Sequence, residues 1–234
     1  MNSTGKVVLA TYAIIGAVHV FTCYYEEYHQ LHVVTKLALM PVLLLAVWTD
    51  KPRMKGALLV SGALLLSWLG DGLLIGDSEE SLLGGLGAFL VAHVLYIVAF
   101  RKCRDDNHEL PLMKRYPLLA LVIVAAAGLV FIKIREDLGE MELPVLVYTI
   151  VITTMSITAL NRQAKTSRAS FAMVMAGALL FMTSDSLIAW DRFHSTIDLA
   201  SVWIMLTYIA AQGLIVYGLM AGRKADFEGS TTDA

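Results

Sequence analysis

Residues 116–134 read YPLLALVIVAAAGLVFIKI and carry no charge before Lys133. At a helical rise of 1.5 Å per residue such a run covers roughly 28 Å, close to the ~30 Å hydrocarbon core of a bilayer. A surface helix of a soluble domain keeps one polar face; this run is apolar on every face. Working outward, seven more runs of comparable character follow, so that spans are expected at 6–25, 31–49, 55–75, 82–100, 116–134, 143–160, 169–190 and 197–221. Composition agrees. The 234 residues are 57% hydrophobic and 16% charged, with a mean hydropathy of +0.67, whereas soluble domains run about 45–50% apolar and about 25% charged. The expected fold is therefore all-α, a polytopic bundle of eight transmembrane helices forming one domain over 1–221. A polar cytoplasmic tail, 222–234, is expected to be disordered. The first run follows a single basic residue, Lys6, without a small-x-small cleavage site, and reads as a retained helix rather than a signal peptide. A net charge of −2, with basic residues confined to short loops, excludes a nucleic-acid binder. Cys23 and Cys103 fall in different segments, which excludes a disulfide framework and shows no metal or redox spacing.

Lys and Arg set the orientation. Lys51, Arg53 and Lys55 lie in the second loop, Arg101, Lys102, Arg104, Lys114 and Arg115 in the fourth, and Arg162, Lys165 and Arg168 in the sixth. Arg223 and Lys224 open the tail, while the odd loops are acidic, with Glu26 and Glu27, then Asp77, Glu79 and Glu80, then Glu136, Asp137, Glu140 and Glu142. Both termini are thus expected in the cytoplasm, in agreement with an even number of spans. A faint repeat accompanies this pattern. Gly70-Asp71-Gly72 near the end of the third span matches Ser184-Asp185-Ser186 near the end of the seventh, each after an apolar run containing Gly-Ala. Four spans separate the copies, so the repeat would be a parallel four-plus-four arrangement about an axis along the membrane normal.

Charge at membrane depth is the informative signal, because an ionisable side chain near the bilayer centre costs about 2.5–3.5 kcal/mol on insertion scales. Lys36, Asp71 and Asp185 are the candidates. Ser67 and Asp71 share a helix face at i and i+4, as do Tyr208 and Gln212, and Phe89, His93, Tyr96 and Phe100 form one stripe. Blander roles stand beside these. Lys36 with one aspartate could be a structural ion pair, His93 reads as a hydrogen-bonded packing residue before a metal ligand, and Ser67 and Ser184 are common interhelical glue. Two carboxyls in a low dielectric tend to share a proton, which provides an acid and a base for hydrolysis. The same pair would equally serve proton-coupled transport of a lipid-like solute.

The residues at this point resemble the lysoplasmalogenases of the YhhN-like class of integral membrane proteins. The likeness rests on Thr35-Lys36 with Pro41, Ser67-x-x-Gly70-Asp71-x-Leu73-Leu74, and Ala88-Phe89-x-x-Ala92-His93-x-x-Tyr96. It continues with Gly177-Ala178-x-Leu180-Phe181-x-x-Ser184-Asp185-x-x-Ile188-Ala189 and Tyr208-x-x-Ala211-Gln212-x-Leu214-Ile215, with Tyr148 and Met155 as weaker matches. In one departure, Lys36 is followed by Leu37 where the family often has proline. The resemblance implies hydrolysis of the vinyl-ether bond of lysoplasmalogen to a fatty aldehyde and glycerophosphoethanolamine or glycerophosphocholine. It implies no metal or organic cofactor, a lysolipid substrate within a bacterial inner membrane or endoplasmic reticulum, and Asp71 and Asp185 as the catalytic pair. Lys36, Ser67, His93, Tyr96, Ser184, Tyr208 and Gln212 are the residues expected to hold substrate or water.

Overall fold

A computed structural model describes residues 3–49, 54–76, 78–103, 117–163 and 166–229. Its elements are helical throughout these segments: α1 (Ser3–Tyr24), α2 (His29–Thr49), α3 (Ala57–Leu73), α4 (Glu79–Lys102), α5 (Pro117–Ile134), α6 (Glu142–Leu160), α7 (Arg168–Phe193) and α8 (Ala200–Gly229). Short 3-10 turns at Glu26–Tyr28, Arg135–Asp137 and Gly139–Met141 lie between them. Each expected span falls on one of these helices. Seven are long and apolar enough to cross a membrane, while α3, with 17 residues, is apolar but shorter. Helix α8 continues past Ala221 to Gly229, and the end of the tail, 230–234, lies outside the described residues. Lys51, Arg53, Asp77, Arg104, Lys114, Arg115 and Lys165, used above for orientation, also lie outside them.

Local chemistry explains where the helices begin. Ser78 caps α4 by accepting from the Ser81 N–H, with Glu79 and Glu80 in the first turn and Arg101 and Lys102 in the last. Both charge placements complement the helix dipole. Ser167 caps α7 in the same way, through Ser170 N–H, and α5 opens on Pro117, whose missing N–H costs nothing there. Gly56 takes φ +76° just before α3, a conformation other residues rarely adopt.

The bundle is apolar outside and polar within. Large side chains such as Ile14, Leu58, Leu121, Leu129 and Ile132 stand exposed, whereas His19, Ser67, Asp71, His93, Arg162 and Gln212 are buried. This is the distribution expected when the solvent is lipid and polar groups must find partners inside. The closest pairings join helices adjacent in sequence, α7 with α8, α3 with α4 and α1 with α2. Between α7 and α8 the backbones nearly touch: a Cβ on Gly177 would lie 2.8 Å from the Ala211 carbonyl oxygen.

Arg162 departs from its sequence reading as a loop cation. It is 1% exposed, and its Nη1 donates to the carbonyls of Phe100 (3.0 Å) and Cys103 (2.6 Å), while Nη2 donates to Ser170 Oγ (3.2 Å). A guanidinium thereby satisfies carbonyls at the end of α4 that no further helical turn could reach.

Candidate active site

Two helices running in opposite directions bring four of the expected residues into register. On α3, Ser67 and Asp71 are one turn apart; on α8, Tyr208 and Gln212 are one turn apart. Tyr208 Oη donates to Asp71 Oδ2 at 2.8 Å, and Gln212 Nε2 donates to Ser67 Oγ at 3.0 Å. The second rung extends to α4, where Tyr96 Oη donates to Gln212 Oε1 at 2.6 Å. All five side chains are buried, Asp71 at 3% exposure. Tyr12 of α1 closes the flank by donating to the Ile209 carbonyl at 2.8 Å.

Asp185 sits differently. Tyr148 of α6 donates to its Oδ2 at 2.5 Å, and His93 Nε2 of α4 lies 3.8 Å from the same oxygen. The Asp185 side chain keeps 14% exposure and faces a cavity of about 80 Å³. Helices α4 to α7, with Leu74 just past the end of α3, line that cavity mostly with apolar side chains, among them Leu86, Phe89, Val130, Val145 and Met182, and Tyr148 is on its wall. Asp71 is not. His93 is packed as expected, its ring 5.3 Å from Tyr148 and 4.6 Å from Phe181, both edge-on. It is not hydrogen-bonded as expected: neither ring nitrogen has a hydrogen-bond partner among the described residues, so the fully buried imidazole keeps unspent hydrogen-bonding capacity 3.8 Å from Asp185.

Rings of Phe89, Phe181 and Tyr208 pack in mutual edge-to-face contacts of 5.5–6.2 Å, with Tyr208 bonded to Asp71 and Phe89 on the cavity wall with Asp185. Phe89 reaches this position because residue 70 is glycine; a Cβ there would lie 2.6 Å from the Phe89 ring. The small residue before Asp71 thus serves aromatic packing.

Two expected residues stand outside these contacts. Ser184 turns to α8 and donates to the Ile204 carbonyl at 3.0 Å, which is helix-to-helix glue. Lys36 is half-buried on α2 and forms no ion pair within 4 Å among the described residues. One residue is gained: Tyr148, only a weak match in the family pattern, is the hydrogen-bond donor to Asp185. Its partner lies on the neighbouring helix, 37 positions along the chain, and no periodicity within α6 announces it. A separate group lies around Cys23. His19, four residues earlier on α1, and His32 on α2 converge on it, with their donor atoms within 4.8 Å of one another.

The YhhN family model matches residues 31–219. Lysoplasmalogenase TMEM86B of Homo sapiens is 36% identical over 179 residues, which cover 75% of this chain and 70% of that protein. The lysoplasmalogenase of Mycobacterium tuberculosis is 33% identical over 201 residues, 84% of this chain and 74% of that one. Lysoplasmalogenase TMEM86A of Bos taurus is 31% identical over 165 residues, 69% and 65% respectively. No solved structure matches the chain. With four-fifths of its length inside the matched region and relatives above 30% identity along most of it, this chain belongs to the YhhN family.

Proposed function

We propose that the chain is a membrane-embedded lysoplasmalogenase, an enzyme that hydrolyses the vinyl-ether bond of a lysoplasmalogen held in the bilayer. One observation carries the reading: a carboxyl group, Asp185, stands on the wall of a largely apolar cavity inside a membrane bundle, in a chain whose relatives bear that enzyme's name. The alkenyl chain occupies the cavity and brings its vinyl ether to Asp185. Asp185 delivers a proton to the β-carbon, and an oxocarbenium-like cation develops at the α-carbon. The buried Asp71 carboxylate stabilises that cation, in parallel with the two-carboxylate logic of glycoside hydrolysis. Water, oriented by His93, adds to the α-carbon and returns a proton. The resulting hemiacetal collapses to a fatty aldehyde and the glycerol hydroxyl of glycerophosphoethanolamine or glycerophosphocholine. Tyr148 holds Asp185 in place; Tyr208, Gln212, Ser67 and Tyr96 hold Asp71 and its helix.

The finer architecture belongs to the same reading. Helix α3 is the eighth span, lying beside α2 and α4, with the membrane domain over 1–221 and the polar tail, 222–234, in the cytoplasm beside the N-terminus. A parallel four-plus-four repeat is supported by the two aspartates, each near the end of the third helix of its half and each accepting from a tyrosine. Thiol labelling of Gln30→Cys in intact cells tests the orientation; labelling only after the membrane is opened would reverse it.

Aldehyde release from lysoplasmenyl-ethanolamine and lysoplasmenyl-choline by detergent-purified protein tests the reaction. Aldehyde from the unaltered protein, and none from Asp71→Asn or Asp185→Asn, is the expected outcome. No aldehyde from well-folded protein with either head group would give the first place to a proton-coupled carrier.

A further inference from the structure

A second cluster of reactive side chains lies where α1 ends and α2 begins. His19 and Cys23 stand four apart on α1 and share a face; the Glu26–Tyr28 turn brings His32 back beside them. Cys23 Sγ lies 3.8 Å from His19 Nε2 and 3.8 Å from His32 Nδ1. A tetrahedral zinc ion, with Zn–S of about 2.3 Å and Zn–N of about 2.0–2.1 Å, holds sulfur and nitrogen about 3.5 Å apart. The two sulfur–nitrogen edges need to close by only a few tenths of an ångström, while the nitrogen–nitrogen edge, within 4.8 Å, closes to about 3.3 Å by rotation of the half-buried His32 ring. No other group of three such ligands converges among the described residues.

The surroundings prepare the ligands. Thr35 Oγ1 has one proton, which it donates to the Leu31 carbonyl at 2.7 Å. Its oxygen is left to accept from His19 Nδ1 at 2.9 Å. That bond puts the ring proton on Nδ1 and the lone pair on Nε2, on the side of Cys23, the arrangement that outer hydrogen bonds give to metal-binding histidines. Thr22 Oγ1 spends its proton on the His19 carbonyl at 2.7 Å and stands a long 3.4 Å from His32 Nδ1, a weak contact that zinc on that nitrogen replaces. In the metal-free arrangement the single Cys23 thiol proton faces two imidazole nitrogens at once. His19 is fully buried, whereas Cys23 and His32 are half-buried, so an ion enters from the His32 side.

We propose that His19, Cys23 and His32 bind a zinc ion, which ties the end of α1 to the start of α2 and leaves a fourth position for water. Two imidazoles and a thiolate suit a borderline-soft, first-row divalent ion. Binding releases the thiol proton: Zn²⁺ and the Cys23 S–H give a zinc–thiolate bond and H⁺. The site contains neither aspartate and takes no part in the proposed hydrolysis.

The test uses the full chain in detergent, stripped with a chelator and titrated with zinc. Maleimide alkylation of Cys23 and Cys103 is read by mass spectrometry. One equivalent of zinc is expected to protect Cys23 at least tenfold and to leave Cys103 unchanged. Cobalt in place of zinc is expected to produce a thiolate-to-metal charge-transfer band, lost in Cys23→Ser and kept in Cys103→Ser. His32→Asn, at the half-buried edge, is expected to weaken zinc protection by tenfold or more. Should the buried His19→Gln fail to fold, these readouts on the unaltered protein and on His32→Asn still decide. Equal reactivity of both thiols with and without zinc, a cobalt band that survives Cys23→Ser, or binding of copper but not zinc would each overturn the assignment.

Discussion

Asp71 and Asp185 are placed alike in sequence and unlike in space. Each follows a small residue near the end of a helix, and each accepts a hydrogen bond from a tyrosine. Asp71 is enclosed by a ladder linking α3, α4 and α8; Asp185 looks into an apolar cavity with an imidazole beside it that no hydrogen bond engages. A fully satisfied polar network holds one geometry, whereas unspent polar capacity is where a ligand can gain hydrogen bonds. In the proposed reaction this difference is the reason proton delivery falls to the cavity carboxyl and charge stabilisation to the enclosed one.

The largest expected effect comes from Asp185→Asn, which removes the proton donor. Turnover should fall by ~10³-fold, within the range general acids supply, while the thermal midpoint in detergent stays within a few degrees. Measured aldehyde release above a tenth of the unaltered rate would break the division of roles. Asp71→Asn keeps the shape and deletes the charge, and single-turnover rates should drop by ~10²-fold, the scale of one lost electrostatic contact to a developing charge. If that loss exceeds the loss in Asp185→Asn, the two roles are interchanged.

Smaller effects sharpen the contrast. Tyr148→Phe leaves Asp185 without its donor; kcat should fall by ~10-fold with KM little changed, because the phenol positions an acid that acts in the transition state. Gln212→Met breaks the enclosed ladder and leaves the hydroxyls of Ser67 and Tyr96 buried without their partner. Stability should fall by about 1–3 kcal/mol, measured by thermal unfolding, with turnover reduced by no more than ~3-fold. A change in rate larger than that of Tyr148→Phe would place the ladder in the reaction itself.

Legibility in the sequence followed from what lipid demands. A span must satisfy its backbone internally and present apolar side chains, so residues 116–134 announce α5 without knowledge of its neighbours. Asp71 and Asp185 were visible because carboxyls are rare at that depth, and Ser67 and Gln212 because each stands one turn from another polar residue on its own helix. Tyr148 did not stand out, since its hydrogen bond crosses from α6 to α7. Arg162 read as a loop cation because only the fold reveals the carbonyls of Phe100 and Cys103 beside it. His19 and Cys23 do have a helical spacing that could have been noticed; His32 joins them only through the turn between α1 and α2.

By itself, the sequence determined that this is an all-helical membrane protein of the YhhN pattern, where its helices lie, and which two carboxyls are carried into the interior. Those properties depend on one segment at a time, on hydropathy over about twenty residues and on the cost of a charge in hydrocarbon. Tertiary structure alone decided that Asp185 meets the cavity while Asp71 is enclosed, that Tyr148 and Tyr208 divide between them, and that Ser184 serves packing. Each of these depends on which helices adjoin and at what rotation, a choice made by close contacts such as Gly177 against Ala211 and Gly70 against Phe89.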